Sequence, residues 1–149
     1  MKDGRINLAL NRTAMQSSTC CASWHDDPGL DAAGGNNGMV TGYYSFCTGI
    51  EEQPWWMVDL GKITAIEEIV VYNRVDTTPN GAERSAHLRV SLSQDGYAWE
   101  TIFAREDDAP FGGADGNPLR IDVDGRSARW VKLSLPSVNL LCLDEVEVY

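Results

Sequence analysis

Pro54-Trp55-Trp56-Met57-Val58-Asp59-Leu60-Gly61 reads as a β-strand that closes on Asp-Leu-Gly-Lys, a turn signal. Its two adjacent tryptophans must point to opposite sides of the pleat, so one ring is expected in the core and the other at a loop mouth. The counterpart is Leu141-Cys142-Leu143-Asp144-Glu145-Val146-Glu147-Val148-Tyr149. Here Leu141, Leu143, Glu145, Glu147 and Tyr149 are expected on one face, and Cys142, Asp144, Val146 and Val148 on the other. A chain that ends inside a strand is expected to be a complete domain.

Between these segments, from Ile63 onward, short apolar or alternating runs are separated by Gly, Asp, Asn and Pro, and helical periodicity is nearly absent. Strands are predicted at Trp55–Leu60, Ala65–Asn73, His87–Ser93, Glu100–Ala104, Leu119–Val123, Ala128–Leu133 and Leu141–Tyr149, with Asn7–Leu10 as a short strand or entry segment. That pattern predicts an all-β sandwich. Ser93-Gln94-Asp95-Gly96-Tyr97-Ala98-Trp99 is expected to turn on Asp-Gly and fold Trp99 back onto the core. Ser17–Glu52 is rich in Gly, Asn, Asp, Ser and Thr and is too long for plain connection, so function is expected there. Arg74–Arg84 and Asp107–Asn117 are the other long loops.

At 149 residues and 43% hydrophobic, residues 1–149 suit a single domain. No apolar run approaches the roughly 20 residues that span a bilayer, and Met1-Lys2-Asp3-Gly4-Arg5 lacks the core of a signal peptide. A secreted, extracellular domain then implies a removed leader or an excised module. The net charge of -10 repels phosphate backbones and anionic headgroups, which excludes nucleic acid and leaves membranes reachable only through their glycans. Asn11-Arg12-Thr13 fits a glycosylation acceptor.

Four cysteines allow three pairings. Adjacent Cys20 and Cys21 can form a vicinal disulfide beside a Cys47–Cys142 bridge; each can instead pair with Cys47 or Cys142, or all four can be reduced thiols. The absence of Cys-x-x-Cys leaves zinc and redox roles unsupported.

In order along the chain, Asn7-Leu8-Ala9-Leu10, Ala14-Met15-Gln16-Ser17-Ser18, Pro54–Gly61, Tyr72-Asn73-Arg74-Val75-Asp76, Glu83-Arg84, Ser93-Gln94-Asp95-Gly96, Ala128-Arg129-Trp130-Val131 and Glu145-Val146-Glu147-Val148 resemble the discoidin, or coagulation factor 5/8 type C, domain. Within it the chain is most similar to the F-type, fucose-binding lectins. The resemblance runs from Asn7 to Tyr149 and implies a discoidin-like, eight-stranded jelly-roll β-sandwich whose loops hold the ligand at one end.

F-type lectins grip fucose with a histidine shortly before the paired tryptophans, an Arg-x-Asp and a second arginine. Arg74-Val75-Asp76 matches. Arg84 follows after an insertion around Thr77-Thr78-Pro79-Asn80-Gly81-Ala82, and the histidine slot in Ser45-Phe46-Cys47-Thr48-Gly49 holds no histidine. Forked donors for hydroxyls and an aromatic face for the ring are what sugar recognition requires. Arg74, Arg84 and Asp76 supply the first, and Trp24, Tyr43 and Tyr44 the second. His25 can stand in for the missing histidine, and Cys20–Cys21 can offer an apolar platform. Each has a plainer alternative: a surface Arg–Asp pair, a solvated loop histidine, tyrosines that cover the core. The resemblance also implies a structural calcium, for which Asp31, Asn36, Asn37, Asp144 and Glu145 are hard oxygen ligands. The usual Ala-Val-Asp-Gly-Asn loop reads Ala32-Ala33-Gly34-Gly35-Asn36, with Gly34 in place of aspartate.

No nucleophile elbow, His-rich metal motif or phosphate loop accompanies the carboxylates Asp26, Asp27, Glu51, Glu52 and Asp76, so catalysis is not expected. The expected function is calcium-supported binding of terminal fucose on fucosylated glycans, with multiplicity from oligomers or tandem modules. A galactose- or N-acetylgalactosamine-type module that binds galactosylated glycans within a larger enzyme is the alternative, and a discoidin-type adhesion module a further one.

Overall fold

Trp56 is fully buried and Trp55 half-buried on the opposite face, and together they open the longest strand of the protein. A computed structural model describes residues 4–149; residues 1–3, where the predicted domain begins, lie outside the described residues. The strands are β1 (Ala14–Gln16), β2 (Phe46–Cys47), β3 (Glu51–Glu52), β4 (Trp55–Tyr72), β5 (Arg89–Ser93), β6 (Glu100–Ala104), β7 (Leu119–Ser134), β8 (Val138–Asn139), β9 (Cys142–Leu143) and β10 (Glu145–Val148), with one short helix, α1 (Pro28–Ala32). β4 takes β1, β7 and β10 as antiparallel partners, and β5 lies between β7 and β6. β2 pairs β9 and β3 pairs β8. The all-β sandwich is as predicted, built from ten described strands where the resemblance implied eight.

Four predicted strands merge into two. Trp55–Leu60 and Ala65–Asn73 are halves of β4, and Leu119–Val123 and Ala128–Leu133 are halves of β7. The polar punctuation is present, but both strands bend together there: Gly61, Asp124 and Gly125 take positive φ, and the register shifts between Asp59/Thr64 and Ile66/Glu68 while pairing resumes. Asn7–Leu10 is a turn, closed by Leu10 N–H on the Asn7 carbonyl, and β5 begins at Arg89 because the Leu88 amide turns back to Ser85. Trp99 is half-buried against Lys132, whose Nζ lies 4.1 Å from its ring centroid, and stands outside the buried core.

The last predicted strand is divided at Asp144. Leu141 and Leu143 enter the core, and so do Val146 and Val148, so the inward face changes from odd to even residues at that point. Asp144 accepts hydrogen bonds from a loop about a hundred positions earlier, and this interrupts the pleat. The core itself centres on Trp56, stacked on Phe46 at 5.6 Å, with its indole N–H given to the Ala32 carbonyl at 3.0 Å. Cys47 and Cys142 form a disulfide across β2 and β9. Cys20 and Cys21 are free thiols, which corrects the vicinal pairing. A turn in which Ser23 N–H donates to the Cys20 carbonyl directs the Cys20 thiol to the Thr48 carbonyl and leaves Cys21 exposed.

Candidate functional site

Two buried carboxylates organise the Gly-rich loops. Asp27 caps α1 by accepting from the Gly29 and Leu30 amides, with Pro28 in the first turn where its missing N–H costs nothing. The helix then aims Asp31 inward, where its carboxylate accepts from the Trp24 and His25 amides at 2.8 and 3.2 Å, the Gln16 side chain at 2.9 Å and the Cys47 amide at 2.9 Å. Asp144 does the same for the next loop. It accepts from the amides of Thr41 and Gly42 at 2.9 and 2.8 Å and from the hydroxyls of Thr41 and Ser45, each at 2.9 Å.

Between these clamps stand three aromatic rings. Tyr43 and Tyr44 lie 4.5 Å apart, and Trp24 packs on them at 6.4 and 5.6 Å. The Trp24 indole donates to the Tyr44 carbonyl at 3.0 Å, and the Tyr44 hydroxyl to the Ala22 carbonyl at 2.7 Å. Trp24 is 59% exposed and Tyr43 38% exposed, so their faces remain open. They line a cleft of about 450 Å³ with His25, Leu30, Asn37 and Thr41.

Arg74 sits behind this cluster. It is only 6% exposed, with its guanidinium 4.9 Å from both tyrosine ring centroids and in two hydrogen bonds, 2.7 and 2.8 Å, to Asp76. Thr78 also hydrogen-bonds to Asp76 through its hydroxyl. The hydrogen bonding from Arg74, ahead of that from Thr78, holds the Asp76 carboxyl well below the usual carboxylate range, and the same Arg74–Asp76 bonding raises Arg74. Burial, then Tyr43, pushes the Tyr44 hydroxyl up. Arg74 therefore supports the tyrosines from beneath instead of lining the cleft.

The sequence-predicted residues thus divide. Trp24, His25, Tyr43 and Tyr44 come together, with Arg74 and Asp76 in support; Cys20 and Cys21 do not line the cleft. Arg84 does not join them. It is exposed and lines a separate cleft of about 250 Å³ with His87, Asp108 and Asn139, because the insertion after Asp76 leads into a short helical turn at Ala82–Ser85 that carries Arg84. Leu30 and Thr41 were missed. The available signal was an apolar residue just inside an Asp-Pro helix start.

The residues expected to hold calcium differ in whether their oxygens are already engaged. Asp31 and Asp144 do not fit, since backbone amides and hydroxyls already occupy them. A side chain at Gly34 is impossible, because its Cβ would lie 2.3 Å from the Ser45 carbonyl oxygen. Asn37 is exposed and accepts from the Met39 amide. Glu145 and Asn36 differ: Glu145 Oε1 and Asn36 Oδ1 are buried without a hydrogen-bond partner. Glu145 Oε2 takes the Gly38 amide, and burial pushes the carboxyl up to about 9. Among the described residues no group of three His, Cys, Asp or Glu could hold a metal ion.

Residues 32–133 match the model of the F5/F8 type C domains described as NedA-like and galactose-binding. The chain belongs to that family. The F5/F8 type C domain is also similar to a fucose-binding module of Streptococcus pneumoniae, with 25% identity over all of this chain and 98% of that one and a TM-score of 0.74. Against the lectin domain of lectinolysin complexed with Lewis B antigen the identity is 27% over 97% of this chain and 96% of the other, with a TM-score of 0.74. A fucolectin from striped bass (Morone saxatilis) serum shares the fold, at 24% identity over 95% of this chain and 47% of that chain, with a TM-score of 0.76. No curated protein matches the chain. Among the described residues, no helix of the domain is long and apolar enough to cross a membrane.

Proposed function

We propose that the domain binds the terminal sugar of fucosylated or galactosylated glycans, without catalysis, in the cleft formed by Trp24, Tyr43 and Tyr44. The observation that carries this reading is the open aromatic cluster, held between two buried carboxylate clamps, in a family and among neighbours that are carbohydrate-binding modules. A pyranose presents a C–H face that stacks on an aromatic ring and a rim of hydroxyls for polar neighbours. Thr41, Asn37 and His25 supply that rim, and Arg74 fixes the slope of the rings by stacking beneath them. The two neighbours at 25 and 27% identity favour fucose, and the family description favours galactose as the second reading.

Affinity per site is weak. At about 0.3 kcal/mol per heavy atom, a monosaccharide of about 12 heavy atoms gains about 3.6 kcal/mol, a Kd of about 2 mM, so useful binding needs tandem modules or oligomers. Calcium stays in the proposal on narrower ground, with Glu145 Oε1 and Asn36 Oδ1 as the buried oxygens left to hold it. The Cys47–Cys142 disulfide suits an oxidising, extracellular setting.

A glycan array of wild type beside Trp24→Ala and Arg74→Ala, with and without EDTA, tests the reading. Binding to fucosyl glycans that Trp24→Ala loses supports fucose at this cleft, and a galactosyl signal supports the second reading. No signal from folded wild-type protein sinks the carbohydrate assignment, and a signal that Trp24→Ala retains sinks the cleft.

A further inference from the structure

A second cleft, of about 560 Å³, opens where β5 turns into β6 and shares no lining residue with the Trp24 cleft. Its wall is a turn held in one shape. Asp95 Oδ1 accepts from the Tyr97 and Ala98 amides at 2.8 and 2.9 Å and from the Ser93 hydroxyl at 3.2 Å, and Ser93 in turn accepts from the Gly96 amide at 2.8 Å. Gly96 has φ +83° and closes against Trp130, whose Nε1 would lie 3.3 Å from an added Cβ. The turn is thus set before any ligand arrives, which lowers the ordering cost of binding.

The floor joins an aromatic ring to paired charges. Trp99 is half-buried and lines the cleft, while Lys132, which lies over one face of its ring, does not line it. Beside it, Arg126 Nη1 meets Glu100 Oε1 at 2.6 Å, with both side chains more than half exposed. An ion pair this open contributes little to stability and exchanges its partner for hydroxyls at small cost. It sets a forked donor and a carboxylate acceptor side by side, next to a flat apolar surface. That combination complements two adjacent hydroxyls on a ring that has a C–H face. The mixed charges, with Asp95 close by, disfavour a phosphate or other anion.

We propose that this cleft is a second carbohydrate subsite, which takes a neutral pyranose on Trp99 with neighbouring hydroxyls hydrogen-bonded to Glu100 and Arg126. One glycan chain, or two, then engages a single domain at two places, and the apparent affinity for a branched or extended glycan exceeds that for its terminal sugar.

The test is an NMR titration of isotope-labelled protein of residues 1–149 with methyl α-L-fucopyranoside, methyl β-D-galactopyranoside and methyl β-D-glucopyranoside, each up to about 50 mM, a range set by the millimolar affinities of small solvated sites. The indole N–H signals of Trp24 and Trp99 report the two clefts separately. The proposal expects Trp99 and the amides of residues 94–100 to shift saturably with at least one sugar. It expects Arg126→Ala, an exposed substitution that leaves the fold intact, to weaken that response about tenfold while Trp24 responds as in wild type. A Trp99 response that survives in Trp24→Ala supports the second subsite even where the loop-end reading fails. A Trp99 signal unmoved by all three sugars, or moved equally in wild type and Arg126→Ala, overturns it whether or not Trp24 responds.

Discussion

Asp144→Asn tests whether the aromatic cluster is held by a buried carboxylate. The substitution keeps volume and shape, so no cavity enters the account. It replaces one accepting oxygen by an NH2 group that must face the amides of Thr41 and Gly42, now at 2.9 and 2.8 Å, or the hydroxyls of Thr41 and Ser45. Asp144 is fully buried, so no water replaces what is lost. One charge-assisted hydrogen bond removed and one donor left facing a donor sum to about 3 to 5 kcal/mol. A domain of 149 residues has an unfolding entropy of about 0.3 kcal/mol/K, so the melting temperature should fall by about 10 to 15 °C. Because the same bonds hold Tyr43 and Tyr44, the Kd for any glycan that wild type binds should weaken about tenfold at temperatures where the variant is still folded. Scanning calorimetry and a binding titration read the two effects. A melting temperature within about 3 °C of wild type, with unchanged affinity, would refute the clamp.

Four further outcomes are expected. Arg74→Met leaves Asp76 without its partner and the tyrosines without their support, at a cost of about 2 kcal/mol because Asp76 is partly solvated; denaturant titration reads it, and a change under about 0.5 kcal/mol contradicts the support role. Asp76 is held below its ordinary value of 3.8 chiefly by Arg74, so its stabilisation is present above about pH 4 and is lost as pH falls further; Asp76→Asn should flatten the acid limb of a stability-versus-pH curve, and parallel curves would contradict this. Reduction of Cys47–Cys142, which closes a loop of 95 residues, should cost about 3 to 5 kcal/mol in a denaturant melt with and without reductant. Calcium should raise the melting temperature of wild type and not of Glu145→Gln; no shift in wild type would remove the ion from the proposal.

Local signals were legible where neighbours in sequence decide the outcome. The opposed Trp55 and Trp56, and the Glu100–Ala104 strand, follow from pleat and composition alone. What failed was decided by distant residues. Asp-Leu-Gly-Lys looks like a strand end, yet β4 continues because β7 bends beside it and keeps its backbone paired. The alternation of the last strand breaks at Asp144 because Thr41 and Gly42 claim the carboxylate, a bond invisible at a separation of 102 or 103 positions. In the site, the aromatic loop residues were legible as a group. That Arg74 lies beneath the rings and Arg84 faces another cleft was not, because a spacing read along one loop does not say which side of it is covered.

The longest-range pairings set how this domain must form. Leu8 donates its amide to the Val148 carbonyl at 2.6 Å, the Val148 amide donates to the Asn7 side chain at 3.1 Å, and β10 is laid against the far half of β4. A ribosome that has released residues 1–140 has therefore made most of the core side chains but not the strand that closes over Ile69 and Val71. Loop closure over such separations is slow and is rewarded only at the end. Folding should wait for the last strand and then proceed all at once, so that the exposed halves of β4 and β7 are most open to aggregation in the interval before residues 141–149 are made.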